Sequence, residues 1–189
     1  FSCDEKSQIQ ALDRTQPGLP LKKGRCQTLT HDYKRNGNIS LFAALNTADG
    51  KVIGTCMNQH RHQEWIRFLN LIGKETPKGK EIHLICDNYA TYKHEKVKAW
   101  QGRNPRFHFH FTPTSASWLN MVERFFRDLT VTSIRRGVFR NVGELIQAIE
   151  EHIALHNKAP KPFVWTAKAA DILEKVKRGR AKLLNMQSA

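Results

Sequence analysis

Short apolar runs separated by polar segments dominate the first part of the chain and predict strands. Four runs have this form: 39–46, 52–57, 82–86 and 107–111. The first two are joined by Asp49-Gly50, a dipeptide typical of hairpin turns. The last alternates strictly (FHFHF), as a strand with two different faces does. Residues 13–38 are rich in Pro, Gly, Lys and Arg, which predicts a loop with some irregular strand.

Apolar residues at helical spacing predict helices between and after these strands. The clearest helix is at 62–73, with one apolar face: Trp65, Phe68, Leu69 and Ile72. Further helices are predicted at 93–103, at 118–136, from Asn141 onward and at 167–182. Ser117 and Asn141 are suited to cap the helices that follow them, and Gly137 to end the longer one. This order of elements predicts a mixed α/β sheet with covering helices.

The chain is strongly basic, which changes the expected partner. Its 189 residues include 31 Lys and Arg against 17 Asp and Glu, a formal net charge of +14. Such a surface favours a polyanion, with nucleic acid ahead of an anionic membrane, although a role in solubility alone is the simpler explanation. No stretch approaches the roughly 18 consecutive apolar residues of a spanning helix, so no membrane partner is expected.

The four cysteines are isolated along the chain: Cys3, Cys26, Cys56 and Cys86. Without a C-x-x-C pair, a structural zinc site is not expected. Without a visible signal peptide, a disulfide framework is not expected either, and free, mostly buried thiols are predicted. The chain begins with Phe1 inside an apolar run and not with Met, so we expect it to be a fragment.

Two acidic residues close apolar runs in the same way. Asp4 follows the run that begins at Phe1, and Asp87 follows Leu84-Ile85-Cys86. A carboxylate at the end of a buried strand is costly unless it lies at the sheet edge or meets a cation. Taken alone, each Asp is also explained by a turn or a helix cap, which is the commoner role.

A third acid, Glu123, is predicted at the edge of the apolar stripe of the 118–136 helix, flanked by Asn120 and Arg127. Alone, it is explained by an ion pair with Arg127 one turn away. Three convergent carboxylates, however, suit two Mg²⁺ or Mn²⁺ ions, which prefer oxygen ligands and can promote phosphodiester cleavage. A basic protein with an acidic, metal-binding centre is a coherent nuclease.

Three segments carry a resemblance to a known family: C-D-E-K-S-Q at 3–8, C-D-N-Y-A-T at 86–91 and P-T-S-A-S-W-L-N-M-V-E at 113–123. In this order they resemble a bacterial insertion-sequence transposase of the Tc/mariner-like DDE superfamily, in its catalytic endonuclease domain. The resemblance covers nearly the whole chain. The 35 residues between Asp87 and Glu123 lie within the range that this superfamily uses.

The resemblance implies an α/β fold, a ribonuclease-H-like mixed five-stranded sheet flanked by helices, with C-terminal helices. It implies a catalytic domain at 1–160 and a basic helical extension at 161–189. Asp4, Asp87 and Glu123 would be the catalytic acids and would bind two Mg²⁺ or Mn²⁺ ions. The implied reaction is hydrolysis of DNA at transposon ends, followed by strand transfer into target DNA at a TA dinucleotide. The implied setting is the bacterial cytoplasm, on the nucleoid, with a homodimer on paired ends.

Members of this family usually carry an N-terminal helix-turn-helix region that recognises the terminal repeats. The chain has no room for that region ahead of Asp4. A truncated or domesticated DNA-binding module without catalysis is therefore the main alternative. A general hydrolase of RNA–DNA hybrids is a third possibility.

Several further residues are candidates for supporting roles. Asn88 and Asn120 are candidates to orient metal-bound water or DNA phosphates, and capping or turn roles suit them equally. Arg127, Arg135 and Arg136 are candidates for DNA contacts, and the last two also suit the C-terminal end of a helix.

Five other residues are expected to have structural roles. Glu5 is expected at the surface, because neighbours on a strand point to opposite faces. Trp118 is expected to anchor the core, with stacking on a base as the alternative, and Trp165 is expected to pack the loop before it. His108 and His110 are spaced like metal ligands, but an exposed or helix-covered strand face is the preferred interpretation.

Overall fold

The computed structural model describes residues 1–14, 33–113, 117–162 and 168–187. Five strands are present in these ranges: β1 Ser2–Arg14, β2 Tyr33–Leu45, β3 Val52–Met57, β4 Ile82–Cys86 and β5 Phe107–Phe111. The α-helices in the same ranges are α1 His62–Glu75, α2 Glu95–Gly102, α3 Val122–Leu129, α4 Val142–Lys158 and α5 Ala169–Gln187.

The strands form one mixed sheet in the order β3-β2-β1-β4-β5. The first three strands pair antiparallel, as a meander does. β4 runs parallel to β1, and β5 runs parallel to β4. The connection from β1 to β4 includes α1, and the connection from β4 to β5 includes α2. Parallel neighbours are usually joined by such a helical crossover.

Helices cover both faces of the sheet and divide the core in two. In β2, Phe42 and Ala44 face the core beneath α1 and α2, whereas Leu41 and Ala43 face the core beneath α3 and α4. This division follows from the alternation of side chains along a strand. Trp65 of α1 is the largest fully buried side chain of the first core. The predicted α/β fold with covering helices is confirmed.

Residues 13–38, predicted as a loop with some irregular strand, are strand at both described ends. β1 continues to Arg14, and β2 already begins at Tyr33; residues 15–32 lie outside the described part of the chain. The strands extend this far because Ile9 and Ile39 are buried against the second core. The polar composition concealed a long antiparallel pair with one apolar face.

The single helix predicted at 118–136 is also wrong. The chain forms a 3-10 turn at Ser117–Leu119, then α3, then a π-helical turn at Thr130–Ile134. The hydroxyl of Thr130 donates to the carbonyl of Phe126 at 2.6 Å, and that of Thr132 to Asp128 at 2.7 Å. Such bonds compete with the regular helical ladder and distort it.

The last helix, predicted at 167–182, is observed as α5. None of its residues with described burial is buried, and Ile172 and Val176 are only half-buried. A separate extension at 161–189 stays a prediction. Trp165 lies outside the described residues. None of the helices in the described ranges has the length and apolar character needed to cross a membrane.

Candidate active site

Strand pairing brings the first two predicted acids together. Cys3 of β1 lies opposite Cys86 of β4, and both are fully buried. Asp4 and Asp87 are the next residues of these two parallel strands. β4 ends at Cys86 whereas β1 continues to Arg14, so the two carboxylates lie at the point where the pairing between β1 and β4 ends. Asp4 is buried, with 8% of its surface exposed, and Asp87 is half-buried.

Asn120 connects the two acids. Its amide nitrogen Nδ2 lies 3.4 Å from Oδ2 of Asp4, 3.3 Å from Oδ1 of Asp87 and 2.9 Å from the carbonyl oxygen of Cys3. The side chain is 1% exposed, and its Oδ1 has no hydrogen-bond partner within the described structure. The position of Asn120 is fixed by the next residue, since the backbone N–H of Met121 donates to Oγ of Ser2 at 3.0 Å.

Further donors bond to Oδ1 of each of the two acids. The hydroxyl of Thr112 donates to Oδ1 of Asp87 at 3.1 Å. The hydroxyl of Tyr92 lies 3.1 Å from Oδ1 of Asp4 and also donates to Oε2 of Glu5. The backbone N–H of Glu5 donates to Asp4 at 2.8 Å. Neutral donors therefore surround the acids, as buried polar groups require.

Glu123 reaches the site from the first turn of α3, and its side chain is exposed. Its backbone N–H donates to the carbonyl of Asn120 at 3.2 Å, which fixes this turn beside the acids. Burial raises the pKa of Asp4 to about 7; the N–H of Glu5 opposes the shift, and the negative charges of Asp87 and Glu123 add to it. All three predicted acids therefore share one electrostatic environment.

Glu5 is not the surface residue that strand alternation predicts. It is half-buried beside Asp4 and accepts a hydrogen bond from Tyr92. Burial and then the charge of Asp4 raise its pKa to about 8. Residues Tyr92 and Thr112 were missed by the sequence analysis. Their signal was only their position, in the polar segments that follow β4 and β5.

The donor set suits a hard divalent cation. Carboxylate oxygens are the ligands that Mg²⁺ and Mn²⁺ prefer, and a cation would relieve the repulsion among these acids. In the conformation described, no group of three His, Cys, Asp or Glu side chains stands at metal-binding distances within the described residues. Glu123 is exposed at the edge of the cluster, and its side chain would have to turn toward the other two acids for all three to share an ion.

The other predicted residues lie around this centre. Asn88 is exposed, and its Oδ1 accepts a hydrogen bond from Lys93. Arg127 is exposed and lies 3.7 Å from Asp128, so the alternative pairing with Glu123 is not the one observed. Arg135 and Arg136 are exposed just after the π-helical turn.

Trp118 is not a core anchor, because 55% of its surface is exposed. His108 and His110 lie on the surface-facing side of β5, in agreement with the exposed strand face that the sequence favours. His108 contacts Glu81 at 2.7 Å, and His110 contacts His83 at 3.0 Å. The described cysteines Cys3, Cys56 and Cys86 carry free thiols, as expected.

Comparison with known families agrees with this geometry. The sequence profile of the DDE superfamily endonuclease family matches residues 2–146. The chain belongs to this family. The match begins before Asp4 and ends beyond Glu123, so it contains all three acids. No curated protein matched the chain by sequence.

One solved structure shows the same fold. The catalytic core domain of BIV integrase superposes with a TM-score of 0.50 at 13% identity, covering 77% of this chain and 92% of that chain. The simian T-cell lymphotropic virus intasome in complex with PP2A regulatory subunit B56 gamma gives a TM-score of 0.44 at 19% identity, covering 50% of this chain. The chain spans 34% of that intasome chain. The superposition on the BIV integrase core and the strand order together give the DDE endonuclease domain described here the ribonuclease-H-like fold.

Proposed function

We propose that this domain cleaves DNA at the ends of a Tc/mariner-like insertion sequence and joins the freed end to target DNA. Asp4, Asp87 and Glu123 would act as catalytic acids that bind two Mg²⁺ or Mn²⁺ ions. The observation that carries the proposal is the placement of Asp4 and Asp87 after paired residues of two parallel strands, with Asn120 bonded to both. Family membership supports the same chemistry.

When bound, the ions supply activation of a water or 3′-hydroxyl and stabilisation of the leaving oxygen. The protein holds their ligands in place. Asn120 and Thr112 fix the direction of the Asp87 carboxylate, and Tyr92 fixes that of Asp4. Glu123, at the exposed edge of the cluster, would complete the ligand set from a separate helix.

DNA is the proposed partner, held by the excess of 14 positive charges. Arg127, Arg135 and Arg136 are exposed on α3 and after it, in the chain segment that also carries Glu123, and are proposed to contact phosphates. We further propose that the domain acts as a homodimer on paired transposon ends, inserts at a TA dinucleotide and is associated with the bacterial nucleoid. These points rest on the resemblance to insertion-sequence transposases.

The test is nicking of a supercoiled plasmid that carries the genomic flanks of the gene. We expect cleavage that requires Mg²⁺ or Mn²⁺ and that Asp87→Asn lowers by about a hundredfold or more, because ligands that position an ion stabilise the transition state by several kcal/mol. Asp49→Asn removes a charge from an exposed turn and is the matched control. Equal nicking by Asp87→Asn and wild type would refute the proposal.

The same assay separates the alternatives. Binding of the plasmid without nicking in either metal would favour a DNA-binding module without catalysis. Cleavage of an RNA–DNA hybrid, but not of duplex DNA, would favour a ribonuclease-H-type hydrolase.

A further inference from the structure

Exposed aromatic side chains are concentrated around the acids. Four aromatic residues of the described chain are strongly exposed: Tyr33 at 44%, Tyr89 at 43%, Phe111 at 39% and Trp118 at 55%. Three of them lie close in sequence to Asp87 or to a residue that hydrogen-bonds to one of the carboxylates. Tyr89 is two residues after Asp87, Phe111 directly precedes Thr112, and Trp118 is two residues before Asn120. We call Tyr89, Phe111 and Trp118 the aromatic rim.

Direct contacts connect two members of the aromatic rim to the site. The ring of Tyr89 packs edge-on against that of Tyr92 at 5.8 Å between centroids, and Tyr92 bonds Asp4. Lys93 places its ammonium 4.9 Å from the centroid of Phe111 and also donates to Asn88. Trp118 is joined to the site through the short 3-10 turn that leads into Asn120.

These rings do not serve the core. Both cores are filled by other residues, and none of the three rings is buried. Flat exposed rings beside a cation stack well on nucleobases, which present the same flat face whatever their sequence. In an intact duplex the base faces are stacked on one another, so the occupant that fits the aromatic rim is an unpaired strand.

Charge favours a nucleic acid over a second protein surface as this occupant. The chain has a net charge of +14, and Lys93 lies within the aromatic rim itself. A second copy would bring the same excess of positive charge to the rim and no phosphates to neutralise it, whereas the proposed homodimer is held on DNA ends that carry phosphates. A DNA strand brings both the phosphates that the basic surface attracts and the bases that the rings accept.

We propose that the aromatic rim binds unpaired nucleobases of the strand whose phosphate lies at the acids. The domain therefore binds DNA with an unpaired segment more tightly than intact duplex. This inference rests on the proposed function, because that function places a DNA strand beside Asp4 and Asp87.

Fluorescence anisotropy tests the inference with three labelled DNAs of equal length: an intact duplex, the same duplex with an unpaired run, and that run made abasic. Ca²⁺ replaces Mg²⁺, so binding is measured apart from cleavage. We expect the unpaired DNA to bind most tightly, and the abasic DNA to lose this preference because it keeps the phosphates without the bases. Trp118→Ala should weaken binding to unpaired DNA about tenfold and leave duplex binding unchanged.

Two variants control the measurement. Trp118→Phe keeps a ring and should retain most of the preference. Tyr33→Ala removes an exposed ring that lies ten residues along β2 from the partner of Asp4, roughly 30 Å away, and should have no effect. Equal binding of abasic and unpaired DNA would overturn the inference. It would also be overturned if Trp118→Ala weakened binding to intact duplex as much as binding to unpaired DNA.

Gel filtration of Trp118→Ala provides a further outcome. A change in oligomeric mass with unchanged DNA binding would show that the rim is a protein interface, and would also overturn the inference. Failure of the nicking assay with an intact preference for unpaired DNA would instead refute cleavage alone. The two proposals are therefore separable.

Discussion

A neutral amide, Asn120, lies between two carboxylates at the centre of this molecule. Its Nδ2 is within 3.4 Å of both Asp4 and Asp87, and it is almost fully buried. A lysine here would compete with a bound cation. The neutral amide partly offsets the repulsion between the acids and does not take the place of a cation. Burial, together with the residual repulsion, raises the pKa of Asp4. Such residual repulsion is a store of free energy that cation binding releases.

The stability of the metal-free protein should therefore depend on pH. The pKa of Asp4 is raised from 3.8 to about 7 and that of Glu5 from 4.5 to about 8. Because the folded state binds these protons more tightly than the unfolded state, their contribution to stability falls as the pH rises from about 4 to 8. We therefore compare the change that Asp4→Asn causes in the free energy of unfolding at two pH values. This change should be more stabilising at pH 8 than at pH 4, by on the order of 1–2 kcal/mol.

Urea unfolding in EDTA at both pH values measures this difference. The lowered pKa values of His62 and His152 act in the opposite direction, but both variants contain them, so the comparison isolates Asp4. Added Mg²⁺ should stabilise wild type more than Asp4→Asn. If the two proteins showed the same pH dependence, the acids would not be coupled as described.

The elements differ in how well the sequence predicts them. β5 was predicted at its observed bounds, because Phe107, Phe109 and Phe111 alternate with histidines. The helix around Glu123 was predicted too long, because local apolar spacing carries no information about Asn120 being turned toward another strand. The same limit explains Tyr92, whose bond to Asp4 spans 88 residues. Sequence patterns thus placed the acids, while the groups that orient them depend on tertiary contacts.

The turn between β2 and β3 offers a test of how an element is anchored. Gly50 has a φ of +80°, and its carbonyl oxygen lies 2.9 Å from Nε2 of His156 in α4. A Cβ at Gly50 would come within 2.2 Å of the carbonyl oxygen of Lys161. Gly50→Ala should therefore cost about 1–3 kcal/mol for the backbone conformation and more for this clash.

Gly79→Ala is the matched control for that turn. Gly79 has a φ of +85°, but no atom of the described residues lies within 4 Å of the position that a Cβ would take there. Thermal and urea unfolding of both variants would separate conformational strain from the clash. Equal destabilisation would mean that the turn and the segment after α4 move apart freely.

Over the whole molecule, positive charge outweighs negative charge by 14, yet Asp4, Asp87 and Glu123 interact electrostatically at one place. This distribution suits a DNA-binding surface around a cation-binding centre. The described α-helices on the two sheet faces serve different purposes. α1 and α2 complete a core, whereas the α3 segment also carries Glu123 and the candidate arginines.

DNA binding should accordingly weaken steeply with salt. Each phosphate contact releases condensed counterions, so a plot of log K against log salt concentration should be linear with a negative slope. Arg136→Ala should reduce the magnitude of that slope by about 1, whereas Arg136→Lys should retain it, because the charge is kept. Anisotropy titrations at several salt concentrations measure the slope. An unchanged slope in Arg136→Ala would remove this arginine from the interface.

The pairing of Cys3 with Cys86 has a consequence for how such domains can diverge. Backbone hydrogen bonding between two strands sets the separation of the first two acids, so insertions between Lys6 and Leu84 leave that separation unaltered as long as the ladder survives. The third acid lies on α3, outside the strand ladder, so the ladder does not set its distance along the chain. Relatives are therefore expected to vary in the length of the Asp87–Glu123 segment while keeping both strand ends intact.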